Sequence, residues 1–374
     1  MKNLGKGPLW RLGLIIIIAG LIIWGTIGLV QSVIAPHMSR SREGMAGMAG
    51  MTGMNNGETK SEVSVPDVSF PFKNIRDEYG NKLNVLAVSA PFREPAHEDQ
   101  YTTYRDQGLV FCGLSSYLEF PKKIDNPYED RFHEQQKHDY PSMVSSWIHC
   151  FRDPGAALRS SGLPLLLLTE ADLKNPDEYR PNPAIAKTYD FIYICLDDND
   201  QCTPGWNWYN RNFDLAKRCF VVMCGKYGLR GLIVGRTNCE LPMECAGKVT
   251  LKPFLPFHEF QAEMQKCRFL FAPNVSDASP RVITEAILYD MPVLVNYNIV
   301  GGWHNVIPGV TGETFTSEHD IGGALDRLVG HEANYHPRQW YIENRGMHSR
   351  QVLADFLKKH TPNLNRPDMV YANI

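Results

Sequence analysis

Residues Phe269 to Asn296 read FLFAPNVSDASPRVITEAILYDMPVLVN. The opening apolar run, Phe269 to Ala272, marks a strand buried on both faces of a parallel sheet. A loop follows from Pro273. Ser279-Pro280 then opens a helical pattern over Arg281 to Tyr289, since Ser is a good N-cap and Pro fits the first helical turn. Val293 to Val295 returns as a second buried strand. A strand, a loop and a helix N-terminus in that order set free backbone N–H groups and the positive end of a helix dipole at a strand's carboxyl end. That is a phosphate cradle in the place where open α/β sheets bind ligands. Arg281 adds a full positive charge. Asp277 lies just before the helix, and Glu285 about one and a half turns inside it.

Working outward, the same kind of run recurs. Asn84 to Ala90, Leu109 to Gly113, Trp147 to Phe151 and Leu165 to Thr169 form one series of candidate strands. Phe191 to Leu196, Leu232 to Gly235 and Val249 to Leu251 lead into the quoted segment as a second. Helical spacing separates them. Asn212 to Tyr227 carries Leu215, Ala216, Cys219, Phe220 and Met223 on one face, with Gly228 as its stop. His258 to Cys267 and Gln339 to Lys359 are also helical. Strand–helix alternation of this kind predicts doubly wound parallel sheets with right-handed crossovers. A boundary near residue 185 divides the series into an N-terminal Rossmann-like domain, 71–185, and a C-terminal one, 186–335. A helix and tail at 336–374 have the option of crossing back to the first domain. The Pro-, Asp- and His-rich stretch Ser115 to Ser146 is a long insertion facing a site.

These residues resemble the GT-B fold glycosyltransferases, especially the retaining family 4 group. Asp277 and Glu285, with seven residues between them, resemble its acidic-x7-Glu signature. Ala272-Pro273-Asn274, then Asp290-Met291-Pro292-Val293-Leu294, then Gly301-Gly302, resemble the segments that flank it. Leu232 to Gly235, Val249 to Phe260 and Gly309-Val310-Thr311-Gly312 resemble further motifs in the same order. The resemblance covers about 190 to 330 well and the first half weakly. It implies an α/β GT-B fold with two Rossmann-like domains facing a cleft. It also implies transfer of a sugar from a nucleotide donor with retention and without a metal. Glu285 would hold the donor ribose and Asp277 the transferred sugar. The backbone around Ser279 to Arg281 would hold sugar and diphosphate, and Arg211 a phosphate. The chain departs from the pattern at Asp277, where Glu is usual, and at Ala278-Ser279-Pro280, where Gly-Phe-Gly is usual. Pro280 cannot donate a backbone N–H, so the bonding to the sugar differs.

In the first half, Trp147 to Arg152 ends a strand with His149 and Arg152 at the edge that faces a cleft. His149 is a candidate for binding acceptor or donor sugar, and Arg152 for phosphate. The competing reading of His149 is a packed histidine at a strand end. Glu170, after Leu165 to Thr169, stands similarly. Asp198-x-Asp200 resembles the metal-holding motif of the other large glycosyltransferase fold, GT-A, where paired carboxylates bind Mg²⁺ or Mn²⁺ against a diphosphate. A polar linker or a donor-site lip is the simpler reading. Asn274-Val275-Ser276 is a glycosylation sequon inside the proposed donor loop and is expected to be unmodified. The nine Cys lack zinc spacing. They are expected mostly as buried thiols, although an oxidising location would permit one or two disulfides, with Cys195–Cys202 and Cys239–Cys245 the nearest pairs.

Leu12 to Ala35 carries no charge. At the length of about 20 residues that a bilayer core requires, it is a transmembrane anchor and is too long for the apolar core of a signal peptide. Lys2, Lys6 and Arg11 place residues 1–11 on the cytoplasmic side. The body is then luminal, as in Golgi- or ER-type single-pass proteins. Residues 36–70, with the Met/Gly/Ala tract from Gly44, are a flexible stem. The net charge of -3 excludes nucleic acid as the main partner. The expected partners are a nucleotide-sugar donor, a glycan, protein or lipid acceptor, and the membrane through 12–35. No resident cofactor is expected. The alternative functions are a tethered sugar- or nucleotide-binding protein without turnover, and a metal-dependent GT-A-type transferase using Asp198 and Asp200.

Overall fold

In a computed structural model of the chain, residues 64–122, 126–128, 137–158, 162–196 and 202–374 are described. The apolar span 12–35, most of the stem, and Asp198 and Asp200 lie outside them. Among the described residues, no helix is long and apolar enough to cross a membrane. The last stem residues already belong to the folded body. Asn74 Nδ2 donates to the Pro66 carbonyl at 2.9 Å, and Val68 N donates to Asn74 Oδ1 at 3.2 Å.

Two six-stranded sheets form one compact unit. The first contains β1 (Phe72–Asp77), β2 (Lys82–Val88), β3 (Val110–Leu114), β4 (Ser146–His149), β5 (Leu165–Leu167) and β12 (Ala372–Asn373), in the order β12-β1-β2-β3-β4-β5. From β2 to β5 the strands are parallel, and β1 is antiparallel to both of its neighbours. This sheet is wound in one direction only, so the doubly wound expectation fails for it. β5 is its outer strand, which is why Leu165 and Leu167, apolar though they are, stay exposed.

The second sheet contains β6 (Tyr189–Ile194), β7 (Gly231–Val234), β8 (Val249–Lys252), β9 (Cys267–Ala272), β10 (Val293–Asn296) and β11 (Gly312–Phe315). All its pairings are parallel, in the order β11-β10-β9-β6-β7-β8. Counted from β6, that is the doubly wound order 6-5-4-1-2-3. It has a topological switch point between β6 and β9, and a ligand crevice opens at such a point.

Helices α1 (Pro95–Asp106) and α2 (Pro154–Ala157) belong to the first half. After β6 come α3 (Trp206–Asn210) and α4 (Phe213–Phe220), and α5 (Phe257–Met264) precedes β9. α6 (Arg281–Leu288) links β9 to β10, and α7 (Ile321–Leu328) follows β11. The helix expected over Asn212 to Tyr227 is α-helical only to Phe220. Val221–Lys226 continues as a wider π-turn, and Gly228 at φ +65 ends it. The last predicted helix is two: α8 (Pro337–Asn344) and α9 (Met347–His360). Gly346, at φ +60, breaks them apart with a backbone conformation suited to glycine. Tyr341 of α8 is buried with the second sheet's Val293 and Val295, whereas Leu353, Ala354 and Leu357 of α9 are buried with Ile75, Leu83 and Val85 of the first. The chain therefore returns to its first sheet at 345–346.

Cys202 pairs with Cys239 and Cys224 with Cys245, with Cα–Cα distances of 5.3 and 5.1 Å. Neither of the pairs nearest in sequence forms. Cys112, Cys150, Cys195, Cys219 and Cys267 are buried free thiols.

Candidate functional site

The switch-point crevice lies where β6 and β9 end. From β9, Pro273 to Pro280 runs to the head of α6. Asp277 sits in this loop and forms an ion pair with Arg211, which ends α3. Asn274 Nδ2 reaches the same carboxylate oxygen at 3.4 Å. Gly301 N donates to the Asp277 carbonyl at 2.9 Å, and Val300 N to that of Val275 at 3.0 Å. A Cβ on Gly301 would overlap the Ala278 carbonyl, and one on Gly302 would overlap the Pro280 ring. The double glycine is thus the backing against which the Pro273–Pro280 loop is held.

Glu285 is buried in α6. Its Oε1 lies 3.1 Å from Lys174 Nζ, which reaches over from the segment that follows β5. Burial raises the Glu285 pKa, and the positive charges of Lys174 and Arg281 oppose that rise. Arg281 is exposed at the head of α6, and its charge also reaches Glu170 of the first half. Glu170 pairs with Lys73 and accepts the Ser116 hydroxyl. Burial works against its ionisation, but Lys73 and Ser116 outweigh that and lower its pKa.

Ser279 does not cap α6 as its sequence position suggests. Pro280 occupies the capping position without a side-chain bond, and the Ser279 hydroxyl accepts the Ala171 backbone N–H at 3.0 Å. This contact, Lys174–Glu285 and a bond from Trp303 Nε1 to the Cys150 carbonyl at 2.8 Å join the two halves. Cys150, Phe151 and Ala278 form a small apolar cluster on the same seam.

His149 is buried at the end of β4, nearly parallel to Phe151 at 6.4 Å between ring centroids. Burial, with His304 nearby, pushes its pKa down to about 4. The ring is therefore neutral near pH 7. Cys150 beside it is kept protonated by burial. Arg152 does not join Arg211. Its guanidinium lies over Tyr297 at 4.2 Å and Trp303 at 4.3 Å, and it donates to the Tyr297 carbonyl at 2.9 Å.

The structure thus gathers Asp277, Arg211, Ser279, Arg281 and Glu285 along one loop and helix head, with His149 and Arg152 across the seam. Sequence reading missed Lys174 and a buried cluster behind it. Asp172 Oδ2 accepts from Thr169 N at 2.7 Å and lies 2.9 Å from His304 Nε2, while its Oδ1 accepts from Asn305 Nδ2 at 2.6 Å. Burial opposes its charge, but His304, Asn305 and Thr169 outweigh it and hold its pKa at about 2. Position after a strand end, or after Gly301-Gly302, was the available signal for these residues. Among the described residues, no cluster of three His, Cys, Asp or Glu stands in metal-binding geometry. The Asp198/Asp200 motif lies outside them.

No protein-family model and no curated protein matches the sequence. Solved structures share the fold. S. aureus TarM superposes with a TM-score of 0.53 at 11% identity, over 74% of this chain and 54% of its own, so this chain spans about half of TarM's length. The sucrose-phosphate synthase of Thermosynechococcus elongatus gives 0.50 at 11% identity, over 70% of each chain. Anabaena HepE in complex with UDP gives 0.50 at 12% identity, over 70% of this chain and 75% of its own. These neighbours are GT-B glycosyltransferases, and the likeness establishes the α/β two-sheet fold.

Proposed function

We propose that this chain is a glycosyltransferase that moves a sugar from a nucleotide-sugar donor to an acceptor hydroxyl. One observation carries the reading: three cations, Arg211, Arg281 and Lys174, and two carboxylates, Asp277 and Glu285, meet along the loop and helix head at the switch point. Without a ligand, the carboxylates compensate the cations. An incoming diphosphate exchanges partners with them and frees Asp277 and Glu285 to accept bonds from hydroxyls of sugar and ribose. As the bond from the anomeric carbon to the phosphate oxygen breaks, charge develops on the leaving diphosphate. The three cations and the N–H groups heading α6 stabilise it.

Metal independence follows from that cation set, which supplies the charge a divalent ion supplies elsewhere. Retention rests on the ordered family resemblance. No resident cofactor is assigned, and the donor is a substrate. HepE was crystallised with UDP, which makes UDP-sugars the first donors to test. A glycan, protein or lipid is the acceptor class. We place the body in a lumen, tethered through residues 12–35, because two disulfides suit an oxidising compartment.

A second reading, binding without turnover, is favoured by Ser279, whose hydroxyl is taken by Ala171 N, and by Pro280, which lacks an N–H. Incubating the purified full-length chain with UDP-, GDP- and ADP-sugars in excess EDTA separates the readings. Hydrolysis or transfer of one donor supports the enzyme. Saturable binding with no turnover of any donor supports the second reading. Activity lost in EDTA and restored by Mn²⁺ would move the chemistry to Asp198 and Asp200.

A further inference from the structure

Four buried polar atoms at the seam have no hydrogen-bond partner among the described residues: His149 Nδ1, His304 Nδ1, Ser276 Oγ and Asn210 Nδ2. Leaving such an atom unpaired costs about 1–3 kcal/mol, so an isolated one needs a reason and a group of them on neighbouring loops points to a missing polar ligand. Ser276 belongs to the donor-type loop itself. The Asn210 carbonyl accepts the Val275 N–H of that loop at 3.1 Å. His149 ends β4 opposite, close enough to His304 for the charge of one ring to act on the other.

His304 is the most constrained of the four. Asp172, which is ionised and can only accept, lies 2.9 Å from Nε2, so Nε2 carries the hydrogen. Nδ1, on the other side of the ring, is then the atom left without a partner. Asp172 cannot swing away, because Thr169 and Asn305 also bond to it. Nor can the backbone of His304 shift easily. Gly301 and Gly302 lie against Ala278 and Pro280, and Trp303 is tied to the Cys150 carbonyl. The result is a rigid, unpaired ring nitrogen next to the donor-type loop, and the ligand group that matches it is a hydroxyl, which can donate or accept.

We propose that His304 is a specificity-determining residue that hydrogen-bonds one hydroxyl of the donor sugar through Nδ1, with Asp172 as the positioning residue that fixes its ring. This rests on the glycosyltransferase reading. The donor, rather than the acceptor, is assigned because the two glycines ahead of His304 back the donor-type loop and no other.

The test is the hydrolysis of the accepted donor and its mono-deoxy analogues by the full-length chain, with water as acceptor. One deoxy donor is expected to lose roughly 100-fold or more in kcat/KM, because a site built to bond a hydroxyl rejects the analogue that lacks it. In His304→Gln, the amide N–H replaces Nε2 against Asp172 while the ring nitrogen Nδ1 is gone. This variant is expected to fold, to turn over the parent donor more slowly, and to treat parent and deoxy donor alike. His304→Asn, which restores a hydrogen-bonding group near the Nδ1 position, is expected to recover part of the discrimination. If every deoxy donor stays within about threefold of the parent, the inference is overturned. It is equally overturned if His304→Gln keeps the full discrimination, or alters transfer to an acceptor without altering the preference in hydrolysis. If the wild-type chain turns over no nucleotide sugar at all, it is the enzyme reading that fails instead.

Discussion

Asp172 shows how residue-scale chemistry holds this seam. Its carboxyl pKa lies at about 2 because its partners outweigh its burial, whereas an unfolded chain titrates near 3.9. A depressed pKa gives stability that is complete above the unfolded value and is lost as pH falls through the folded one. Stability on the order of 2 kcal/mol is therefore expected to disappear between about pH 4 and pH 2. Urea unfolding at stepped pH checks this: Asp172→Asn should be destabilised at pH 7 and should lose less on acidification than the wild type. Glu285 behaves in the opposite sense, with a raised pKa. Its pairing with Lys174 is best probed by activity. Lys174→Gln is expected to weaken donor binding by about tenfold or more, the usual scale for one charge-assisted bond, and to lower the melting temperature because the buried Glu285 loses its partner. Asp277 and Glu285 were legible in sequence because strand, loop and helix order is local. Lys174 and His304 were not, because Glu285 and Asp172 meet them only after the two halves fold together. The signal at Ser279 was misleading for a related reason. A good N-cap residue was claimed by Ala171 of the other half.

At the scale of elements, parallel strands were readable from their continuous apolar runs, and nine such runs became strands with ends shifted by a few residues. The strands that escaped notice are of other kinds. β1 is mostly polar and bulged, β11 carries a polar Glu-Thr pair, and β12 is a two-residue pairing on β1. The break at Gly346 also escaped, since a single glycine within a helical pattern does not announce a positive φ. The Gly301-Gly302 turn makes a sharper demand. Gly301→Ala is expected to push the Ala278 carbonyl out of place, to destabilise the chain by about 1–3 kcal/mol, and to raise the donor KM more than it lowers kcat. Thermal melts and donor titrations measure the two effects.

At the scale of the whole molecule, the two sheets differ in what they offer. The second is doubly wound and has a switch point. The first is wound in one direction and contributes strand-end groups: His149, Arg152, Glu170 and Lys174. Both were expected to be alike, because short apolar runs reveal that strands are parallel without revealing their order. The Cys202–Cys239 bond fastens the loop after β6 to the loop after β7, beside the switch point. For a separation of 37 residues, the chain-entropy account gives about 3–4 kcal/mol. A Cys202→Ser/Cys239→Ser double variant is expected to lose stability of that order in urea unfolding.

The central claim is that a nucleoside diphosphate binds at the head of α6, between Arg281, Arg211 and Lys174. Calorimetric titration of UDP, GDP and ADP into the full-length chain in excess EDTA tests it most directly, with Arg281→Gln measured beside the wild type. The account predicts saturable binding of one nucleotide and a loss of at least about tenfold in affinity on Arg281→Gln. Binding of equal strength in wild type and variant, or binding of none of the three nucleotides, would contradict it.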